Sequence, residues 1–178
     1  MRRAIAFVLA TALAGCGGGF GNSKDHPLGT LAKLESRLVG GMELVKRPAA
    51  ADAAAAEDWK GSASVVEYHD TKAEENVADF PFCVSLGLDA GGRVVRIHAV
   101  NFAPHQSGAI GAPNGSHKIR QFVLDLWEAL GGGSELNFNL AGRGFSQYDL
   151  AQFDSGAVTA AWIRPNGDPT ETITFSVK

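Results

Sequence analysis

The chain has 178 residues, 45% of them hydrophobic, which is enough for one domain with a substantial core and too few to predict two. Its 16 basic and 19 acidic residues give a formal net charge of −3. Binding to nucleic acid needs a clustered positive face, and the sequence contains no such cluster. Nucleic acid is therefore excluded as an expected partner.

The beginning of the chain has the layout of a bacterial export signal. Two arginines precede an uncharged stretch over residues 4–12, which is too short to cross a membrane as a stable helix. Residues 13–16 then read Leu-Ala-Gly-Cys. This segment resembles the lipobox of bacterial lipoproteins, and the resemblance ends at the cysteine. It implies that a signal peptide over residues 1–15 is removed and that Cys16 carries a diacylglyceryl group and, usually, an acylated amino group.

The resemblance also has consequences for location. Two or three acyl chains on Cys16 would bind a lipid bilayer almost permanently, because each buried methylene contributes about 0.8 kcal/mol. Gly17 follows the cysteine, whereas inner-membrane retention in Gram-negative lipoproteins typically needs an aspartate there. The implied location is the periplasmic face of an outer membrane. In an organism with one membrane, it is the outer cell surface.

Cys83 is the second of two cysteines in the sequence. If Cys16 is lipidated, an intramolecular disulfide is excluded. The neighbours of Cys83 in Phe-Pro-Phe-Cys-Val are bulky and apolar, which favours a buried thiol that packs as a small hydrophobic group. An intermolecular disulfide and a reactive thiol are the alternatives.

The first part of the mature chain predicts a tether followed by a helix. Residues 16–27 are glycine-rich and polar, and predict a flexible tether to a single domain over residues 28–178. Apolar residues at helical spacing then predict a helix over 28–39, with Asp25 or Thr30 as its capping residue.

The next segment is harder to assign from its pattern. Glycines at 40 and 41 predict the end of the helix, and residues 42–46 fit either a short strand or a continued helix. Residues 48–58 are dominated by alanine. They predict a mobile excursion, either as an exposed helix or as a disordered connector.

The middle of the chain has the alternating pattern of strands. Residues 65–68 predict one strand, and residues 69–79 predict a charged loop. Apolar alternation over 82–88 and 94–100, around the turn residues 89–92, predicts a β-hairpin.

The last part predicts one more helix and further strands. Apolar residues over 119–130 predict an amphipathic helix that Ser116 caps and three glycines end. Residues 136–140 predict a strand, and residues 158–164 and 170–177 predict a second hairpin around a Pro-Asn-Gly-Asp-Pro turn.

Together these elements predict an α+β fold. Its sheet is antiparallel, with one amphipathic helix packed on one face, and an N-terminal helix is added to it. The polar positions of the strands, such as Asn137, Asn139, Thr172, Thr174 and Ser176, are ordinary for an exposed sheet face and are also suited to contact a partner.

Few sequence motifs indicate chemistry. The chain has no nucleophile elbow, no His-Glu-x-x-His, no phosphate-binding loop, no dinucleotide fingerprint and no paired-cysteine metal motif. This disfavours a common hydrolase or nucleotide enzyme, and no cofactor is predicted.

The segment over residues 101–116 is the most informative part of the domain. Loops of this length in a compact domain are usually functional or disordered. His98, His105 and His117 flank or occupy it, and three imidazoles that meet there could hold zinc or copper. The alternative is that the three histidines lie apart.

A catalytic hypothesis uses Cys83 and His98. Counting outward from a turn centred on residues 90 and 91 places these two residues opposite each other, with Cys83 as the nucleophile and His98 as its base. No orienting acid is evident. Acidic residues of the 69–79 loop could instead contact a cationic partner, although such runs are usually only solvated.

These observations favour a membrane-anchored periplasmic lipoprotein with a non-catalytic domain that binds an envelope protein or peptidoglycan. An inhibitor or immunity protein is a specific form of this hypothesis. One alternative is a thiol- or metal-dependent envelope enzyme, and another is a structural lipoprotein that maintains the envelope. An enzyme is the less favoured class.

Overall fold

The computed structural model describes residues 19–50, 52–76, 80–101, 116–132, 149–154, 156–164 and 172–178. The predicted signal peptide over residues 1–15, Cys16, Gly17, His105, the strand over 136–140 and the turn over 165–169 lie outside the described residues.

Seven strands of the described residues form one antiparallel sheet in the order β1-β2-β3-β4-β7-β6-β5. They are β1 (Val45–Pro48), β2 (Ser64–His69), β3 (Cys83–Leu88), β4 (Val94–Val100), β5 (Asp149–Asp154), β6 (Val158–Arg164) and β7 (Thr172–Val177). Both predicted hairpins, β3–β4 and β6–β7, are confirmed. The predicted α+β fold with an antiparallel sheet is also confirmed.

The long helix α3 (His117–Ala129) covers one face of this sheet. Its buried side chains join the core with Val84, Ile97 and Phe175 from the strands. The ring of Trp127 lies 6.3 Å from the ring of Phe175 in an edge-on arrangement. The helix begins where predicted, because the Ser116 hydroxyl accepts a hydrogen bond from the backbone of Ile119.

The N-terminal helix packs in the same layer. Helix α1 (Leu31–Glu35) continues into one wider π-helical turn over Ser36–Gly41, so the predicted end at the two glycines is confirmed. Thr30 precedes the helix without a side-chain capping bond. Leu34 and Leu38 are fully buried in the core.

Glu35 connects this helix to the sheet. Its carboxylate accepts hydrogen bonds from the Lys46 ammonium at 2.7 Å and from the Tyr68 hydroxyl at 2.6 Å. These two bonds hold the pKa of Glu35 below its ordinary value, whereas burial and the nearby carboxylate raise the pKa of Tyr68. One side chain of α1 therefore binds to β1 and β2 together.

The segment between β1 and β2 lies on the other side of the sheet. It contains two single 3₁₀ turns, Ala53–Ala55 and Glu57–Trp59, rather than a longer exposed helix. Trp59 reaches the sheet, where its ring lies 6.0 Å from the ring of His98. Gly87 has no side chain, and Trp59 and Ser62 occupy the space where its Cβ would be.

Two other segments differ from the sequence prediction. The charged loop over 69–79 contains a six-residue helix, α2 (Thr71–Asn76), because Asp70 caps it by accepting a hydrogen bond from the backbone of Ala73 at 3.2 Å. Strand β5 forms the edge of the sheet and was not predicted.

Phe20 belongs to the packed domain although it lies within the predicted tether. Its side chain is fully buried and its ring contacts that of Phe122 with centroids 5.7 Å apart. The Arg37 guanidinium lies 4.4 Å from the centre of the same ring, and Arg37 also pairs with Asp125 of α3. Within the described residues, the packed core therefore includes Phe20, which the sequence assigned to the tether.

Gly29 makes the burial of Phe20 possible. A Cβ on Gly29 would lie 2.5 Å from the Phe20 carbonyl oxygen, and the backbone of Gly29 has a φ of +100°. We predict that Gly29→Ala destabilises the protein by about 3 kcal/mol, because it adds backbone strain to this overlap. Urea unfolding followed by tryptophan fluorescence measures this change.

Gly40→Ala is the matched control, because nothing lies within 4 Å of a Cβ at that helical position. It should stabilise the protein by up to about 1 kcal/mol. Equal effects of the two substitutions would show that Phe20 does not pack against the chain at Gly29.

Candidate functional site

The sheet face opposite α3 carries a row of polar side chains. Cross-strand partners have their side chains on the same face of a sheet. The successive partners from β1 to β7 are Arg47, Glu67, Ser85, His98 and Thr174. We call this set the polar row.

Cys83 and His98 lie on this face, but they are not the direct partners that the sequence predicted. Cys83 pairs with Val100, and His98 pairs with Ser85. The pairing is displaced by two residues from the predicted one. One of these two residues comes from a register shift, because Gly87 pairs with Arg96 whereas Leu88 pairs with Val94. Because the displacement is even, Val84, Leu86 and Ile97 remain on the apolar face, as predicted.

The turn accounts for the other residue of the displacement, because Asp89 bonds to Arg93 and encloses residues 90–92. One carboxylate oxygen of Asp89 accepts hydrogen bonds from the backbones of Gly91 and Arg93, each at 2.9 Å. These bonds and the Arg93 side chain hold the pKa of Asp89 below its ordinary value. The side chain of Asp89 therefore stabilises a longer turn than the two-residue turn assumed from the sequence.

Two of the three histidines of the predicted metal site, His98 and His117, lie apart in the structure. His98 lies on the polar row and its Nδ1 is 2.8 Å from the Thr174 hydroxyl. His117 is exposed at the start of α3, on the other side of the sheet. His105 lies outside the described residues, and within these residues no group of three or more His, Cys, Asp or Glu side chains is arranged to hold a metal ion.

A different histidine lies at the centre of a charged cluster. His69, 9% exposed, has Nδ1 at 2.6 Å from a Glu74 oxygen and Nε2 at 3.0 Å from a Glu67 oxygen. Glu74 also pairs with Arg47 at 3.3 Å and accepts a hydrogen bond from the backbone of Phe82. We call Arg47, Glu67, His69 and Glu74 the His69 cluster. It binds α2 to the sheet.

Cys83 directly faces His69 across β2 and β3. Burial raises the pKa of the Cys83 thiol to about 12, and the charges of Glu67 and Glu74 act in the same direction, whereas a hydrogen bond with Ser85 opposes them. Both ring nitrogens of His69 already face carboxylates. This arrangement keeps the thiol protonated and leaves no ring nitrogen of His69 to act as its base.

The two ends of the 101–116 loop meet beside this cluster. The backbone of Ser116 donates to the carbonyl of Asn101 at 3.0 Å, and the Asn101 amide donates to the carbonyl of Pro81 at 2.6 Å. Asn101 has a φ of +55°, a conformation that asparagine tolerates, and it ends strand β4. We call Asp70, Pro81, Asn101 and Ser116 the loop base.

One hydrogen bond in the loop base connects the N-terminal capping residues of α2 and α3. The Ser116 hydroxyl donates to Asp70, and both residues are capping residues, Ser116 for α3 and Asp70 for α2. Asp70 is 6% exposed and Ser116 is 3% exposed. Asn101 and Ser116, the two ends of the 101–116 segment, therefore meet at a buried, hydrogen-bonded position.

The sequence predicted a loop over residues 101–116, of which 102–115 lie outside the described residues, but it did not predict the His69 cluster or the role of Asp70. Glu67 and His69 are two residues apart in a strand, and this spacing alone predicts that they share a face. The contribution of Glu74 depends on the short helix α2, which the sequence pattern did not reveal.

A comparison with protein-family models, curated proteins and solved structures finds no match to this chain. Among the described residues, no helix has both the length and the apolar character needed to cross a membrane.

The raised pKa of Cys83 gives a direct prediction. At about pH 8, folded protein should have about a thousandfold less thiolate than a free cysteine and should react with a thiol reagent only after unfolding in urea. Equal reaction rates in the folded and unfolded protein would contradict the buried, protonated thiol.

The same shift predicts a loss of stability at high pH. Because folding raises the pKa, the protonated thiol contributes stability that is fully present below about pH 9 and is lost as the pH rises toward 12. Cys83→Ala, the control, should remove this part of the pH dependence.

Proposed function

We propose that this protein is a membrane-anchored periplasmic lipoprotein whose small, non-catalytic domain binds another component of the cell envelope, either a protein or peptidoglycan. The anchor is proposed from the lipobox-like residues 13–16, with Cys16 as the lipidation site. The proposed binding surface is the 101–116 loop that begins and ends at the loop base.

The closed loop base is the observation that carries this proposal. The bond from Ser116 to Asn101 fixes the two ends of the loop at one point, and Asp70 holds Ser116 from below. Binding residues are often placed on loops that a rigid scaffold positions. A fixed base also lowers the entropy that binding would cost, because the two ends of the segment are already held in place.

The chemistry of Cys83 supports a binder over the thiol enzyme. A nucleophilic cysteine needs a lowered pKa or an available base, and Cys83 has a raised pKa while His69 is bound by two carboxylates. His98, the base suggested by the sequence, is paired with Ser85 rather than with Cys83.

The charge of the chain supports one specific form of the proposal. A net charge of −3 favours approach by a basic partner, as expected for an inhibitor or immunity protein that neutralises a basic toxin. Glu67 and Glu74 do not contribute freely to that attraction, because the His69 cluster already engages them.

Replacing residues 103–114 with a short glycine-serine linker tests the binding role, since Asn101 and Ser116 keep the loop base intact. We expect the variant to lose its partner, with affinity at least about tenfold weaker, while the melting temperature stays within a few degrees. Pull-down from envelope extract and sedimentation with purified peptidoglycan measure the two partner classes.

A variant with Cys83→Ala and His98→Ala is the control for the loop replacement. It should bind the same partner as the natural chain, because neither residue belongs to the loop base. Retained binding in the loop variant, or loss of binding in the control at unchanged stability, would contradict the proposed surface.

The anchor has its own test. Cys16→Ser should abolish incorporation of labelled palmitate and release the protein from the membrane fraction, since one or no acyl chain binds only reversibly. Gly17→Asp, tested in a Gram-negative host, should keep the lipid and shift the protein to the inner membrane. A membrane-bound Cys16→Ser protein would refute lipid anchoring.

A further inference from the structure

Phe20 is firmly packed in the domain and lies four residues after Cys16, the proposed lipidation site. Its side chain is fully buried against Phe122 and beneath the Arg37 guanidinium. Its carbonyl oxygen accepts a hydrogen bond from the backbone of Thr30 at 2.9 Å, and Gly29 allows this close approach of the two chain segments. Phe20 therefore cannot leave the domain without opening part of the core.

The chain between Phe20 and Cys16 is very short. It consists of the glycines at 17, 18 and 19. An extended chain spans at most about 3.6 Å per residue, so the Cα atoms of Cys16 and Phe20 lie within about 14 Å of each other. A lipidated Cys16 is held at the membrane surface. The chain between Cys16 and Phe20 is then too short for the domain to rotate freely, so only the surface near Phe20 can face the membrane.

The surface beside Phe20 is defined by a turn and by one lysine of α1. The backbones of Ser23 and His26 exchange hydrogen bonds at 3.1 and 3.2 Å, and the exposed Lys24 and Asp25 lie between them. Lys33 of α1 is also exposed. It lies next to this segment, because its side chain is 3.3 Å from the position that a Cβ on Gly21 would occupy. We call residues 23–26 and Lys33 the anchor-side surface.

We propose that the anchor-side surface faces the phospholipid bilayer and rests on its headgroups, held there by the three-glycine tether. This inference depends on the proposed lipidation of Cys16. The ammonium groups of Lys24 and Lys33 suit phosphate headgroups, and an anionic membrane surface attracts such lysines. Asp25 is the one acid within this surface.

Lys60 is a suitable control position. It is a highly exposed lysine that follows Trp59 on the sheet face opposite the helices. Packed layers lie about 10 Å apart, so Lys60 is roughly 20 Å farther from the membrane than the anchor-side surface in the proposed orientation.

The experiment uses the full lipidated protein in vesicles of phosphatidylethanolamine and phosphatidylglycerol. A fluorophore is attached to Lys24→Cys, Lys33→Cys or Lys60→Cys in a Cys83→Ala background, and lipids with a nitroxide on the headgroup act as the quencher. We expect strong quenching at positions 24 and 33 and loss of most of it at position 60. Equal quenching at positions 33 and 60 would overturn the orientation.

A longer tether tests whether the short tether is what orients the domain on the membrane. Insertion of twelve glycine and serine residues between Gly19 and Phe20 should lower quenching at position 33 to the level at position 60, since the domain could then turn freely. Unchanged quenching at position 33 would show that the short tether does not orient the domain, and would overturn that part of the proposal.

Vesicle flotation and the mass of the intact chain are measured first. A chain without lipid that does not float refutes the proposed anchor, and with it this inference. A lipidated chain that floats but shows no difference between positions 33 and 60 refutes the inference alone.

Discussion

The burial of strand β3 on both faces is the constraint on which most of the structure depends. All six residues of Cys83–Leu88 are buried. On one face, Val84 and Leu86 pack into the core beneath the helices, and on the other face Trp59 packs where a side chain at Gly87 would lie. A strand covered in this way forces every side chain on it into a desolvated environment.

The chemistry of the polar row follows from this burial. The Cys83 thiol loses water and lies near Glu67 and Glu74, so its pKa rises rather than falls. The half-buried carboxylates of Glu67 and Glu74 also need partners, and His69 and Arg47 provide them. The carboxylates of Glu67 and Glu74 beside β3 thus already have partners within the domain.

The sequence allowed much of the fold to be predicted, because its signals are local. Alternation over β3 and β4 and the helical pattern of α3 are properties of neighbouring residues. The predicted pairing of Cys83 with His98 was wrong because the turn that Asp89 stabilises is one residue longer than assumed, and the register shifts by one more residue after Gly87. A count of residues from the turn centre reveals neither change. Helix α2 was missed because it is only six residues long and depends on capping by Asp70.

The candidate site was only partly predictable, since it depends on contacts between distant residues. Ser116 was expected to cap α3, and it does. The Ser116 hydroxyl also donates to Asp70, 46 residues away. This bond depends on the three-dimensional fold, because β2 and β4 run in the same direction and finish at the same end of the sheet. The burial of Phe20 in a glycine-rich segment is similar, because its partners Arg37 and Phe122 are far along the chain.

Helix α3 relates the proposed anchor to the proposed binding loop. Phe122, which holds Phe20, and Ser116, which closes the loop base, lie on the same helix, and six residues of helix span about 9 Å. In the proposed orientation, a domain tethered by three glycines at Phe20 would therefore hold the loop base close to the membrane. This geometry favours a partner that is itself at the membrane surface, because a component far out in the periplasm would have to approach the bilayer to reach the loop.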